Sequence, residues 1–212
     1  MKPTILCIMD GWGISSNKKY NAVTQAKTPI FDQLVRQWPN SLMHASGEHV
    51  GLPKGQMGNS EVGHMNIGAG RVILQDLPRI NQAIKSNKLS KNKALKDFIS
   101  ATKRSGGKCN LVGLLSDGGV HSHQTHIEAL AKTIASSGVP VVLHGILDGR
   151  DTAPSSALKF IENFLHTANE NISIGSLIGR FYAMDRDKRW ERVEKAYNTI
   201  VNGHGEKLKD LT

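Results

Sequence analysis

Residues 110–151 read NLVGLLSDGGVHSHQTHIEALAKTIASSGVPVVLHGILDGRD, and the order of patterns in this stretch decides the fold. Asn110 to Leu115 is an apolar run of strand length that breaks into Ser116-Asp117-Gly118-Gly119-Val120-His121. Ser122 to about Ser137 has helical spacing, with Ile127, Leu130, Ala131 and Ile134 on one face, and Gly138 ends it. Val139 to Leu147 is a second apolar run, which breaks into Asp148-Gly149-Arg150-Asp151. A near-continuous apolar strand, a helix and another such strand predict a parallel βαβ unit whose strands are covered on both faces.

The same alternation extends outward. Toward the C-terminus, a helix is expected from Pro154 to about Ala168, a strand from Ile172 to Ile178 followed by Gly179-Arg180, and a helix from Trp190 to Asn202. Toward the N-terminus, Leu77 to about Lys85 and Ala94 to about Ser105 read as helices, the second ended by Gly106-Gly107. Gly47 to Gly70 has neither helical nor strand periodicity and reads as a long glycine-rich loop. Pro29 to about Trp38 is a helix with Pro in its first turn and Ile30, Leu34 and Val35 on one face. Thr4 to Met9 reads as a buried strand ending in Asp10-Gly11-Trp12-Gly13. The fold class is therefore α/β with a parallel sheet. Asp10, the 117–121 and 148–151 loops and Arg180 each follow an apolar run, so they are expected to meet outside the carboxyl ends of the strands, where such sheets bind ligands.

Composition narrows the function. The 212 residues are 39% hydrophobic and 21% charged, which excludes a disordered or collagen-like chain. No apolar run approaches the ~20 residues that cross a bilayer, and no signal peptide is recognisable, so a cytoplasmic protein without membrane contact is expected. Cys7 and Cys109 read as reduced, buried thiols. Lys and Arg number 27 against 18 Asp and Glu, a formal charge of +9. Aromatics are 5% and no nucleic-acid-binding motif is present, so no nucleic-acid partner is expected. The seven lysines between Lys85 and Lys108 read as a solvated face. An anionic small molecule remains the partner that the arginines beside Gly and Asp at strand ends would suit.

Each candidate residue has two readings at this level. Asp10 can hold a hard cation or simply close an Asp-Gly turn. Ser60, in Gly58-Asn59-Ser60-Glu61-Val62-Gly63-His64, can be a nucleophile, which a metal would activate, or a turn hydroxyl. His121, His123 and His126 have a spacing some zinc sites use, but caps or a phosphate contact at His121 fit as well. Arg150-Asp151 can bind an anion and move a proton, or pair internally to fix the turn. Arg180 and Arg186 lie in a segment so rich in Arg and Asp that some of its charges must pair with each other.

Five segments together resemble the cofactor-independent phosphoglycerate mutases, metal-dependent relatives of alkaline phosphatase. They are 9–13 (MDGWG), 55–71 (GQMGNSEVGHMNIGAGR), 116–123 (SDGGVHSH), 144–151 (HGILDGRD) and 179–190 (GRFYAMDRDKRW), in family order across nearly the whole chain. The resemblance implies that residues 1–74 begin an alkaline phosphatase-like metal-binding domain. Residues 75–212 would then be an incomplete inserted α/β substrate domain. It implies Asp10 and Ser60 as ligands of manganese, two Mn2+ ions in the complete enzyme, and Ser60 as the nucleophile that becomes phosphoserine. His121, Arg150, Asp151, Arg180 and Arg186 would hold phosphoglycerate, with Asp151 moving the proton. The implied reaction interconverts 2-phospho-D-glycerate and 3-phospho-D-glycerate in glycolysis and gluconeogenesis. Family members are more than twice as long, so the chain is expected to be an N-terminal portion, inactive alone, whose remaining metal ligands would come from a C-terminal half. The rival expectations are a non-catalytic phosphoglycerate-binding fragment and another alkaline phosphatase-like phosphotransferase.

Overall fold

The computed structural model describes residues 3–207. The chain divides into two compact units, Met1–Pro78 and Arg79–Thr212.

The first unit holds the short helix α1 (Ala22–Gln25), α2 (Pro29–Gln37), a 3-10 turn (Gly47–Val50) and α3 (Ser60–Ala69); α4 (Asp76–Lys85) begins at its end. Residues 3–9 form no strand, contrary to the sequence reading, and Ile5 is 89% exposed. An apolar run becomes a strand only where a neighbour takes its N–H and C=O groups, and among the described residues this unit has no other strand. Cys7, expected buried, is exposed for the same reason. The 47–70 segment is likewise not a plain loop. The Asn59 side chain accepts from the Val62 N–H at 3.0 Å, which caps α3, and Gly70 closes the helix in the left-handed region at φ 63°, as N-caps and glycine C-caps do. Val50, Leu52 and Val62 form a small core. Gly51 is required beside it: at φ +81°, an added Cβ would lie 1.9 Å from the Ile73 carbonyl oxygen. The apolar face of α2 is left open, with Ile30, Leu34 and Val35 all exposed.

The second unit follows the expected alternation closely. After a 3-10 turn (Leu89–Lys91) come α5 (Lys93–Ser105), β1 (Cys109–Leu115), α6 (Gln124–Ala135), β2 (Val141–Leu147), α7 (Ala157–Leu165) and β3 (Ile172–Gly179). The short α8 (Arg180–Ala183) and then α9 (Trp190–Val201) complete it. The strands form one parallel sheet in the order β1-β2-β3. Ile127, Ala131 and Ile134 of α6 and Phe160, Ile161 and Phe164 of α7 pack with Leu115, Val141, Leu143 and Ile172 in a single core. Each of the Ile, Leu, Val and Phe side chains contributes about 1.5–3 kcal/mol by leaving water. Leu95 and Ile99 of α5 pack against the same core, while its lysines, and all seven from Lys85 to Lys108, are exposed as expected.

On the sheet's other face, His144 links all three strands. Asn110 Oδ1 lies 3.1 Å from its Nε2 and Ser176 Oγ 2.8 Å from its Nδ1. An amide oxygen can only accept, so Nε2 carries the proton and Nδ1 accepts from the serine. Burial pushes the imidazole pKa down, which keeps it neutral. No described helix is long and apolar enough to cross a membrane.

Candidate functional site

The register aligns the three strand ends. Leu115 lies opposite Leu147, and Leu147 opposite Gly179, so the next residues, Ser116, Asp148 and Arg180, stand side by side. They are bonded to one another. Asp148 Oδ2 accepts from the Ser116 hydroxyl at 2.7 Å, and Asp148 Oδ1 accepts from Arg180 Nη1 at 2.8 Å. The same Oδ1 accepts the backbone N–H groups of Gly149, Arg150 and Asp151 at 2.9–3.1 Å, an Asx-type turn held by one side chain. Arg180 Nη1 also donates to Asp151 Oδ2 at 2.7 Å. One guanidinium thus bridges two carboxylates, and one carboxylate anchors all three loops.

Burial acts to raise the pKa of Asp148, whose side chain is 1% exposed. The Ser116 hydroxyl, the Arg150 N–H, the Arg180 guanidinium and the Asp151 N–H outweigh it and hold the carboxyl far below the usual carboxylate range. A depressed carboxyl contributes stability that is present above the unfolded pKa and lost as the pH falls below it. The stability gap between wild type and Asp148→Asn is therefore expected to be full at pH 5 and to shrink below the ordinary value of 3.8. Urea midpoints of the two proteins at pH 5 and pH 2.5 measure it, and a gap that does not change would contradict the assignment.

Gly118 lets the β1 and β2 loops meet, because an added Cβ would lie 2.9 Å from Asp151 Cβ. Gly118→Val is expected to displace Asp151 and cost about 1–3 kcal/mol, the usual range for overpacking. A thermal melt showing wild-type stability would refute that close approach. A groove of about 500 Å³ opens beside this contact, lined by Asp117, Gly118, Asp151, Thr152, Ser156 and Lys159 among others.

The remaining candidates are placed as follows. His121 Nε2 lies 3.8 Å from Asp151 Oδ2, half exposed. Asp151 pairs with Arg180 and not with its neighbour Arg150, so the internal pairing considered for that turn is not made. The Arg150 side chain is exposed, as is Arg186, and neither has an acidic partner among the described residues. The paired charges of the 179–190 segment are Arg180 with Asp148 and Asp151, and Asp185 with Arg192. The His123 and His126 rings lie 5.5 Å apart, but the three histidines form no metal-holding group. His123 caps α6 by accepting from the Thr125 N–H, and the His126 ring bonds Asn81 Oδ1 at 2.6 Å. Burial, and then the neighbouring His123, lower the His126 pKa.

In the first unit, Ser60 is exposed in the first turn of α3. His64 Nδ1 is 3.2 Å from its hydroxyl and 2.8 Å from its carbonyl oxygen. The carbonyl must accept, so Nδ1 is protonated and cannot also take the Ser60 proton. This histidine is therefore not the serine's general base. Asp10 is exposed in a turn closed by the Trp12 N–H to the Met9 carbonyl at 3.1 Å, with Gly11 at φ 76°. Among the described residues no group of three or more His, Cys, Asp or Glu side chains is placed to hold a metal ion. Asp10 and Ser60 supply at most three side-chain oxygens, short of the about six that Mg²⁺-like hard cations take. These residues alone do not fit a manganese centre.

Sequence reading passed over the anchoring part played by Asp148 and Ser116, as well as Gly118 and Lys159. The signal available was Asp148 itself: an Asp directly after a strand and before Gly-x-Asp is placed to bond the next three N–H groups.

A family profile described as "BPG-independent PGAM N-terminus" matches residues 80–212. The chain is 52% identical over 209 residues to the 2,3-bisphosphoglycerate-independent phosphoglycerate mutase of Gluconobacter oxydans, covering 99% of this chain and 41% of that protein. It is 51% identical to the mutase of the same name from Cereibacter sphaeroides, with the same coverage. A crystal structure of Leishmania mexicana phosphoglycerate mutase at low cobalt concentration superposes with a TM-score of 0.66 at 35% identity, over 94% of this chain and 38% of that one. The chain thus spans about two fifths of the length of these relatives. With a matched profile over most of its length and half its residues shared with named mutases, the chain belongs to the 2,3-bisphosphoglycerate-independent phosphoglycerate mutase family.

Proposed function

We propose that this chain supplies the nucleophile and the phosphoglycerate-holding loops of a mutase that interconverts 2-phospho-D-glycerate and 3-phospho-D-glycerate, a glycolytic step in the cytoplasm. The observation that carries the reading is the convergence at the ends of β1, β2 and β3 of His121, Asp151 and Arg180. Arg180 Nη1 is engaged by carboxylates, while its Nη2 and Nε bond no described residue and are free to receive a phosphate or carboxylate oxygen in a fixed plane. Arg150 and Arg186, exposed and unpaired with any described acid, add cations for the ligand's other charged end. Asp151 Oδ1, which bonds no described residue, accepts the proton of a glycerate hydroxyl in this reading.

In this reading, the Ser60 hydroxyl attacks phosphorus and loses its proton to water, the bond from phosphorus to the glycerate oxygen breaks, and that oxygen takes up a proton from water. The glycerate reorients and its other hydroxyl gives its proton to Asp151 as it attacks the phosphoserine; the bond from phosphorus to Ser60 Oγ breaks, that oxygen takes a proton from water, and Asp151 returns its own to water. The position of Ser60 in the first turn of a ten-residue helix favours the phosphoserine dianion, since the helix N-terminus carries partial positive charge. The described residues of this chain do not form a manganese site. We propose that the remaining three fifths of a mutase, on the same or a separate polypeptide, contributes the metal ligands. The test compares mutase turnover, with Mn2+ and without 2,3-bisphosphoglycerate, for the 212-residue chain and for a chimera joining it to the C-terminal part of the Gluconobacter oxydans relative. Turnover by a folded chimera alone is expected. Phosphate release in place of isomerisation would favour another phosphotransferase, and phosphoglycerate binding with no turnover in either would favour a binding protein.

A further inference from the structure

We propose that Asp148 is a positioning residue of the phosphoglycerate site, acting through Arg180 and the Arg150-Asp151 turn. The inference rests on the function proposed above. No role for Asp148 follows from its being close to ligand, since its carboxylate is almost entirely enclosed and both its oxygens are occupied by protein donors. What it touches is the turn that carries Arg150 and Asp151, and Arg180, three of the residues proposed to hold the ligand. Its Oδ1 holds the N–H groups that set the path of residues 149–151, and so fixes where the Arg150 and Asp151 side chains depart. The same oxygen, with Asp151, pins Arg180 Nη1 from two sides, which orients the donors left for an anion. Its Oδ2 is fixed in turn by the Ser116 hydroxyl, and Ser116 is fully buried, so the anchor belongs to the packed end of β1.

Three possible roles give results of different sign. A negative charge that merely lies near an anion site weakens anion binding, so removing it would tighten the complex. A residue important only for stability would leave the affinity of the folded protein unchanged. A positioning residue weakens binding when its acceptor is lost, despite the favourable change in charge. Asp148→Asn and Asp148→Ala remove the same charge, but only Asn keeps an oxygen for the backbone N–H groups and Arg180.

The experiment titrates 3-phosphoglycerate into the 212-residue chain and both variants by calorimetry, well below their melting temperatures, with circular dichroism to establish folding. Asp148→Ala is expected to bind about tenfold more weakly than Asp148→Asn, the equivalent of one charge-assisted hydrogen bond. Equal affinities in the two variants, or tighter binding by Asp148→Ala than by wild type, would overturn the assignment. Should Asp148→Ala fail to fold, Ser116→Ala keeps the charge and frees Oδ2. It is then expected to weaken binding about threefold, and an unchanged constant would overturn the proposal equally. A folded wild-type chain that binds no phosphoglycerate would overturn the underlying function as well, whereas a binding wild type with indifferent variants overturns this inference alone.

Discussion

Arg180→Ala is expected to destabilise the second unit by roughly 3 kcal/mol, the low end for breaking a buried ion pair, and to weaken phosphoglycerate binding about 100-fold. The two effects share one origin. The guanidinium is 14% exposed and its Nη1 lies 2.8 Å from Asp148 Oδ1 and 2.7 Å from Asp151 Oδ2. Without it two carboxylates face each other at the strand ends with no cation between them. Asp148 is enclosed and cannot recover water, so repulsion falls on the 148–151 turn. An approaching phosphate would meet the uncompensated acids and lose the planar donor pair, a deficit of two charge-assisted bonds and about 100-fold in affinity. Arg180→Lys restores charge without the fork and is expected to recover most stability but little binding. Urea unfolding and calorimetric titration of both variants measure the two effects separately. An Arg180→Ala protein with wild-type affinity would remove Arg180 from the ligand site.

Ser60→Ala in the chimera with the Gluconobacter oxydans C-terminal part is expected to lower mutase turnover by roughly 10⁶-fold, as loss of an essential nucleophile does. His64→Ala is expected to leave turnover within about tenfold, because general-base help is worth far more than that and this imidazole cannot provide it. Its Nδ1 proton is committed to the Ser60 carbonyl oxygen at 2.8 Å. The pair of variants separates a serine activated from elsewhere from a Ser-His arrangement. Turnover retained by Ser60→Ala would refute the phosphoserine route. A collapse in His64→Ala as deep as in Ser60→Ala would show that the ring adopts another tautomer during turnover.

Legibility in the sequence differed between the two units for a physical reason. In the second unit each apolar run had a partner run close by in sequence, so periodicity alone located β1, β2, β3 and the helices between them to within a few residues. Residue patterning reports that a segment wants burial but not whether a partner exists. Thr4–Met9 shows the difference, since its apolar composition reads as a strand while the described residues of its unit offer nothing to pair with. The helix at Ser60–Ala69 was hidden by dilution, because Gly63 and Gly68 weaken its apolar pattern and only Val62 is buried. Its two caps, Asn59 and Gly70, were readable. Strand-end position pointed to the 117–121, 148–151 and 180 segments as neighbours, which the sheet register explains. Pairing among their charges could not be read: that Asp151 takes Arg180 rather than the adjacent Arg150, and that Asp185 takes Arg192, depends on contacts 29 and 7 residues apart. Asp148 looked like one of two acids in a turn, and only the geometry distinguishes the enclosed anchor from the accessible Asp151.

The central claim is that the strand ends of residues 79–212 hold phosphoglycerate. Calorimetric titration of 3-phosphoglycerate into the purified, folded 212-residue chain tests it most directly, since it requires neither metal nor turnover. Saturable binding at one site per chain is expected, weakened by Arg180→Ala and left unchanged by Ser60→Ala. No heat from a chain that circular dichroism shows to be folded would contradict it, as would binding that Arg180→Ala leaves untouched.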